Sequence, residues 1–322
     1  MPTNTMISVI VPTYNHEKYI QTALDSIFAQ QTEYSFEVLI GDDFSTDGTR
    51  TLLQEYKSRY PDCIRLFLSP QNLGATRNAY NLLTNARGKY LATLEGDDYW
   101  TDLQKLQQQV DFLESHPAYV GCTHKFTIVD ENNHPLKNQE LSWVVQKNTF
   151  SLNDFDGILM PGQPSTFVRR NIFLQPDCDY SICYKAHPLI ADRTLMLIFL
   201  SKGNFYCMDR NMSCYRKAMR KNAANITTQI YRNNSRQIAD DVDFLSKLEE
   251  YAATELNLNI QFESRKQIIF LESIIKFVRH PRIDEMRAIC YVWGNLTHPI
   301  GGLLKLPSNL ISKLKLHKRY HF

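Results

Sequence analysis

Several common signatures are missing from this sequence. It has no glycine-rich loop ending in Lys-Ser or Lys-Thr and no G-x-G-x-x-G, so neither ATP hydrolysis nor dinucleotide binding is favoured. The seven cysteines, an odd number, include no pair at C-x-x-C spacing, which suggests neither a zinc site nor a disulfide framework. Reduced, mostly buried thiols in a cytoplasmic protein are the expectation. No apolar run approaches the length that spans a bilayer. Near the N-terminus, "MISVIV" stops at Pro12 and is too short for a secretory leader. The asparagine sequons near residues 211, 225, 233 and 295 therefore carry no weight.

What is present suits a soluble globular chain large enough for a sizeable core. There are 322 residues, 43% hydrophobic and 22% charged. The net charge of +2 favours no partner, but its distribution is uneven. After Glu285 there is no acid, while Arg287, Lys305, Lys313, Lys315, Lys318 and Arg319 follow. The tail "LLKLPSNLISKLKLHKRYHF" mixes leucine with lysine and suits either an anionic membrane surface or a solvated end. Few aromatics are interleaved with its charges, so nucleic acid is not expected as a partner.

The first hundred residues alternate regularly between strand and helix patterns. "ISVIVPTYN", "FEVLIGDD", "CIRLFLS" and "KYLATLEG" are short β-rich runs. Between them, "EKYIQTALDSIFAQQ", "STDGTRTLLQEYKSRYPD" and "ATRNAYNLLTNARG" have helical spacing and helix-ending residues. Strands alternating with helices predict a parallel sheet covered on both faces. Beyond Thr101 come a helix over "DLQKLQQQVDFLESHP" and a strand over "AYVGCTHKFTIVD", then an irregular stretch from Glu131 to about Asp156. "STFVRR" and "NFYCMD" predict strands and "ADRTLMLIFLSKG" a helix, and from about Asn233 the chain reads as helical.

Ligands of open α/β sheets bind at the carboxyl ends of the strands. Here those ends carry "PTYN", "GDD" and "EGDD", which puts the unusual polar residues on one edge. Capping a helix needs one acid, yet Asp42–Asp43 and Glu95–Asp98 supply a surplus of carboxylates that repel one another. A ligand or cation among them is the expectation. Mg²⁺ or Mn²⁺ fits such oxygen donors and often joins few carboxylates to a diphosphate. Without a P-loop or dinucleotide fingerprint, a nucleoside diphosphate sugar is the indicated ligand.

Taken together, "ISVIVPTYNHEKYIQTALDSIFAQQ", "FEVLIGDDFSTDGT", "NLGATRNAYN" and "GKYLATLEGDDYW" resemble the family 2 glycosyltransferases of the GT-A fold, of the bacterial polysaccharide-synthesis type. The likeness runs from Ile7 to about Arg216. It implies one mixed, mainly parallel sheet flanked by helices, with a glycosyltransferase domain over 1–220 and a helical extension with a basic tail over 221–322. The first hundred residues would form the nucleotide-sugar half and 101–220 the acceptor half. It further implies inversion at the anomeric carbon, a divalent metal, and a nucleoside diphosphate sugar, with uridine the expected nucleoside, as donor. The acceptor would be a hydroxyl of a glycan or lipid-linked saccharide.

By that resemblance Pro12, Thr13 and Tyr14 line the base pocket, and Asp43 accepts a uracil N–H. Asp97 and Asp98 match the metal and ribose signature, with the choice of metal ligand between them left open. Glu95 departs from the family's usual Asp, and its longer arm could serve in an outer layer of the site. The acceptor-activating base falls on Asp192, flanked by Ala191 and Arg193 where many relatives have Glu or Gly before it and Trp after it. That difference leaves a non-catalytic nucleotide-sugar binder as the alternative. A sugar-phosphate nucleotidyltransferase is disfavoured, because "PTYNHEKY" contains no glycine. Tyr99 and Trp100 are expected to pack the next helix start. Arg77 and Arg216 are read as surface salt-bridge residues, and His124, His187 and His298 as solvated or satisfied histidines. The stretch from Glu131 to Asp156 is the candidate acceptor loop.

Overall fold

The computed structural model describes residues 5–145, 147–217 and 236–297. The basic tail and its expected membrane contact lie outside the described residues, as does His298. Two compact units are present. The first takes the described residues within Met1–Glu140, Val144–Asp154 and Met160–Ala223, and the second those within Leu141–Trp143, Phe155–Leu159 and Ala224–Phe322.

The first unit is built on one nine-stranded mixed sheet. Its parallel half has the order β3 (Ile64–Leu68), β2 (Phe36–Asp42), β1 (Ile7–Thr13) and β4 (Tyr90–Thr93). β1 is buried at every position except Pro12, as expected of a central strand covered on both faces. Helices α1 (Ile20–Phe28), α2 (Thr49–Arg59) and α3 (Ala75–Asn85) make the crossovers. In α1 the buried residues Ile20, Ala23, Leu24 and Ile27 recur at helical spacing and pack with Ile7, Val9 and Val11 in one core. Outside that core, Phe28 stacks on Tyr60 with ring centroids 3.7 Å apart.

Beyond β4 the sheet becomes mixed. β8 (Val168–Arg170) lies antiparallel between β4 and β6 (Tyr119–Val129), and β6 runs parallel to β9 (Asn204–Arg216). Two short strands, β5 (Tyr99–Trp100) and β7 (Thr149–Phe150), add to β9 in antiparallel fashion. Tyr99 and Trp100 are thus sheet residues, and the Trp100 ring also packs on the start of the next helix, as expected. The Trp100 indole N–H donates to the Ser165 carbonyl at 3.0 Å, so this buried ring has its polar partner. Beneath it, Lys105 opens α4 (Lys105–Ser115) with its side chain fully buried. The ammonium lies 4.2 Å from the Trp100 ring centroid, with no hydrogen-bond partner among the described residues. Burial lowers its pKa to about 7.

Helices α5 (Ile182–Lys185) and α6 (Asp192–Leu200) complete this unit. His124 is buried, with Nδ1 bonded to the Lys125 carbonyl at 2.8 Å and Nε2 without a partner among the described residues. His187 is buried and accepts the Leu189 N–H at 3.1 Å.

The second unit is helical: α7 (Arg236–Thr254), α8 (Glu263–Arg279) and α9 (Ile283–Gly294). Glu249 ties it together, receiving the Lys266 ammonium at 2.7 Å and the Phe262 N–H at 2.6 Å. Among the described residues no helix is long and apolar enough to cross a membrane.

Candidate active site

The carboxyl ends of β1, β2 and β4 meet on one edge, as the parallel pairing requires. Two loops interlock there. The Asn15 N–H donates to Ser45 Oγ at 2.9 Å, and Asn15 Oδ1 accepts the Thr46 N–H at 2.8 Å. Glu17 N–H and Gly48 N–H complete the exchange, donating to Asp47 and Glu17 at 3.1 and 3.0 Å. Asn15 and Phe44 hold left-handed backbone, at φ 55° and 67°. For Phe44, a bulky residue 42% exposed, this is a strained conformation at the mouth of the site.

Both acids at the end of β2 find partners within the chain. Asp42 is fully buried and its Oδ1 receives Arg50 Nε at 2.5 Å and the Ser45 N–H at 3.1 Å. Arg50 is therefore the cation that lets this pair of acids coexist, and no ligand is needed for that purpose. The Asp43 carboxylate accepts the Leu73 N–H at 2.7 Å and the Gly74 N–H at 2.9 Å. It thereby clamps the start of α3, where Gly74 adopts φ 88° at the N-cap. One lone pair on each Asp43 oxygen remains for a further donor.

At the end of β4 the chain turns through "EGDD". The Gly96 N–H donates to the Pro12 carbonyl at 3.2 Å, which fixes this turn against β1. A Cβ on Gly96 would lie 2.8 Å from Thr13 Oγ1 and 2.7 Å from His16 Nδ1, so only glycine fits without displacing those groups. Thr13 Oγ1 and His16 Nδ1 are themselves 3.1 Å apart. Pro12 and Tyr14 keep partial exposure on this rim, and Thr13 is buried.

The three acids of the turn differ sharply in environment. Asp98 is buried, and its two oxygens accept Ser165 Oγ–H at 2.6 Å and the Arg216 N–H at 2.8 Å. Burial and then the Asp97 charge push its pKa well above the carboxylate range, while the Ser165 and Arg216 contacts oppose that rise. Asp97 is only partly buried, and its carboxylate has no hydrogen-bond partner among the described residues. Glu95 is also raised well above its usual range, by burial first and then by the charges of Asp97, Asp98 and Asp192.

That last influence brings a distant residue into the site. Asp192, the first residue of α6, lies within electrostatic reach of Glu95 although nearly a hundred residues separate them. Its Oδ1 accepts the Arg193 N–H at 2.9 Å and the side chain is partly buried. Arg169 of β8 is buried below and donates to Thr93 Oγ1 at 2.7 Å. Burial lowers the Arg169 pKa to about 10, and the neighbouring Asp192 carboxylate opposes that fall.

Sequence reasoning missed three of these residues. Arg216 is buried, contrary to the expected surface salt bridge. Its Nε donates to the Asp97 carbonyl at 2.8 Å, its Nη1 to the Asp130 and Glu131 carbonyls at 3.1 and 3.3 Å, and its plane lies 4.5 Å from the Tyr19 ring centroid. Ser165 sits in a short 3-10 turn, Pro164–Thr166, and Arg169 had no local signal. Arg77 is exposed and stacks over Tyr184 at 5.0 Å, a structural contact.

Comparison with known proteins bears on this arrangement. Residues 8–174 match the model of Glycosyl transferase family 2. An uncharacterized protein of Mycobacterium tuberculosis is 44% identical over 140 residues, 42% of this chain and 40% of that protein. The Escherichia coli UDP-Glc:alpha-D-GlcNAc-diphosphoundecaprenol beta-1,3-glucosyltransferase WfaP is 31% identical over 121 residues, 38% of this chain and 46% of that protein. The matched segment thus spans less than half the length of these relatives. Among solved structures, Staphylococcus aureus TarS 1-349 in complex with UDP-GlcNAc superposes with a TM-score of 0.61 at 18% identity, over 98% of this chain and 87% of that one. That likeness shows the same fold, the expected GT-A architecture. With just over half of its length matched by the family model, the chain belongs to glycosyl transferase family 2.

Proposed function

We propose that the chain is an inverting glycosyltransferase. It moves a sugar from a nucleoside diphosphate sugar, a uridine diphosphate sugar in this reading, to a hydroxyl of a glycan or lipid-linked saccharide. The setting is surface polysaccharide synthesis on the cytoplasmic side, with peripheral membrane contact through the basic tail. WfaP, whose name includes a UDP-sugar donor and a diphosphoundecaprenol-linked acceptor, supports the donor and acceptor classes. TarS with UDP-GlcNAc supports the donor class.

One observation carries the reading. Of the acids on the sheet edge, Asp42, Asp43 and Asp98 are engaged by the chain, while Asp97 presents a carboxylate that nothing in the described chain holds. A protonated or hydrogen-bonded acid needs no partner, but a partly exposed free one beside Glu95 suits a ligand. Among the described residues no group of three or more His, Cys, Asp or Glu side chains forms a metal cage. That fits a Mg²⁺ or Mn²⁺ site made from one protein carboxylate and substrate phosphates. Asp97 would hold the ion, and Asp98 would hold Asp97 in place through Arg216. When bound, the ion offsets negative charge on the diphosphate.

The residues of the chain then divide the work. Pro12, Thr13 and Tyr14 form one wall for the base, and Asp43 offers its remaining lone pairs to a base N–H. Glu95 would serve in the outer layer of the site, beside Asp97. Asp192 takes the proton from the acceptor hydroxyl as that oxygen attacks the anomeric carbon, and the nucleoside diphosphate leaves from the opposite face. The second reading, a nucleotide-sugar binder without transfer, is kept because Ala191 and Arg193 flank that base.

A thermal-shift screen of nucleoside diphosphate sugars, with and without Mn²⁺, tests the donor site. Stabilisation by a uridine diphosphate sugar that deepens with Mn²⁺ is expected. No stabilisation by any donor would remove the reading. Nucleoside diphosphate release on adding an acceptor separates enzyme from binder.

A further inference from the structure

The helical unit carries an unusual surface. In α9 the residues Glu285, Ala288 and Val292 are buried, as one helix face should be. The opposite face is also apolar: Ile283 and Met286 are 62% and 48% exposed, and at its flank Trp293, whose ring packs on Phe270 at 5.3 Å, keeps 41% exposure. Ile283, Met286, Cys290 and Trp293 follow helical spacing, so they form one stripe about 15 Å long. At the preceding turn, Val278 of α8 is 74% exposed and Ile275, one turn before it, is 37% exposed. Neighbouring elements thus end in bare aliphatic side chains around "VRHPRI".

Charge surrounds them unevenly. Between Ile275 and Arg287 the cations are Lys276, Arg279, Arg282 and Arg287, and the acids are Asp284 and Glu285. Lys276 pairs with Glu285 at 2.9 Å and Arg287 with Asp284 at 3.5 Å. Arg279 and Arg282 have no carboxylate partner among the described residues, and both are exposed. The turn therefore presents aliphatic side chains framed by uncompensated positive charge.

We propose that this α8–α9 turn and the outer stripe of α9 dock on an anionic lipid surface, with Val278, Ile283 and Met286 entering the interface and Arg279 and Arg282 meeting lipid phosphates. Aliphatic insertion and cation–phosphate attraction act together at such interfaces. Charge decides against other occupants. A second copy would bring the same uncompensated arginines to the contact. The tail beyond Thr297 contains cations and no acid, so it offers these arginines no complementary charge. This contact is independent of the glycosyltransferase reading and separate from the tail.

Flotation of the full chain with vesicles tests it. The chain should float with phosphatidylcholine vesicles containing phosphatidylglycerol and not with phosphatidylcholine alone. Ile283→Asp/Met286→Asp and Arg279→Glu/Arg282→Glu should each weaken association by at least about tenfold. Brominated lipid should quench tryptophan emission in the parent chain, and Trp293→Phe, a mild change, should remove most of that quenching. The proposal is overturned by absence of binding to anionic vesicles, or by binding that survives both double substitutions. It is equally overturned by binding lost only on Lys313→Glu/Lys315→Glu/Lys318→Glu, or by a dimer that the same turn substitutions dissolve.

Discussion

Arg216 and Asp98 are joined across 118 residues: the Arg216 backbone N–H meets Asp98 Oδ1 at 2.8 Å while its own guanidinium holds the Asp97 carbonyl at 2.8 Å. The last residue of β9 thereby fixes both acids of the turn after β4. One aspartate is consumed in building the site and its neighbour is left open.

This division predicts opposite effects of two neighbouring substitutions. Asp98→Ala leaves the Ser165 hydroxyl and the Arg216 N–H without an acceptor in a buried place, and should cost about 1–3 kcal/mol of stability. Asp97→Ala should change stability by no more than about 0.5 kcal/mol and abolish transfer. Denaturant titration beside an activity assay checks both. Equal destabilisation by the two would refute the assignment.

Arg216→Lys should fail to restore what Arg216→Ala loses. A lysine is a single point charge and cannot reach the Asp97, Asp130 and Glu131 carbonyls together. Each variant should melt several degrees lower, and the KM for donor should rise by about tenfold, reflecting roughly 1.4 kcal/mol of lost positioning.

Phe44 is a test of strain held for use. Phe44→Gly relieves a left-handed backbone and should leave stability equal or higher by up to about 1 kcal/mol. Donor affinity should fall nonetheless, because the exposed ring at the mouth of the site is lost. Calorimetric titration of nucleotide and a melting curve give the two numbers. Unchanged affinity would mean that the ring has no part in binding.

Lys105 makes stability depend on pH. Its folded pKa is depressed to about 7, so between there and the ordinary lysine value near 10.4 the unfolded chain binds more protons. Stability contributed by this group therefore rises with pH across that window, by up to about 1.4 kcal/mol per unit, and is lost as pH falls towards 7. Lys105→Met should flatten that slope and raise the melting temperature at neutral pH. Urea denaturation at several pH values measures it, and an unaltered slope would contradict the assignment.

Local pattern made the parallel half of the sheet legible. β1 to β4 and their helices announce themselves by apolar runs and helical spacing, and the rule that ligands bind at strand ends then collects Pro12–Tyr14, Asp43 and Glu95–Asp98 on one edge. The mixed half was less legible. β5 and β7 are two residues each, too short to have a period. β9 is one strand of 13 residues, yet Asp209–Asn211 in its middle are exposed, and the strand pattern "NFYCMD" covers only its first half. The partners of Asp98 lie 67 and 118 residues away, and no pattern within a window reports such contacts. Arg216 looked like a surface cation for the same reason: its burial is decided by the strand pairing, which sequence spacing does not show.

In the proposed reaction Asp192 takes the acceptor proton at a donor site built by the other acids. Asp192→Asn, assayed for nucleotide binding by calorimetry and for transfer with acceptor present, tests it most directly. Unchanged donor affinity with transfer reduced at least about a hundredfold is expected; full turnover by Asp192→Asn would rule out Asp192 as the base.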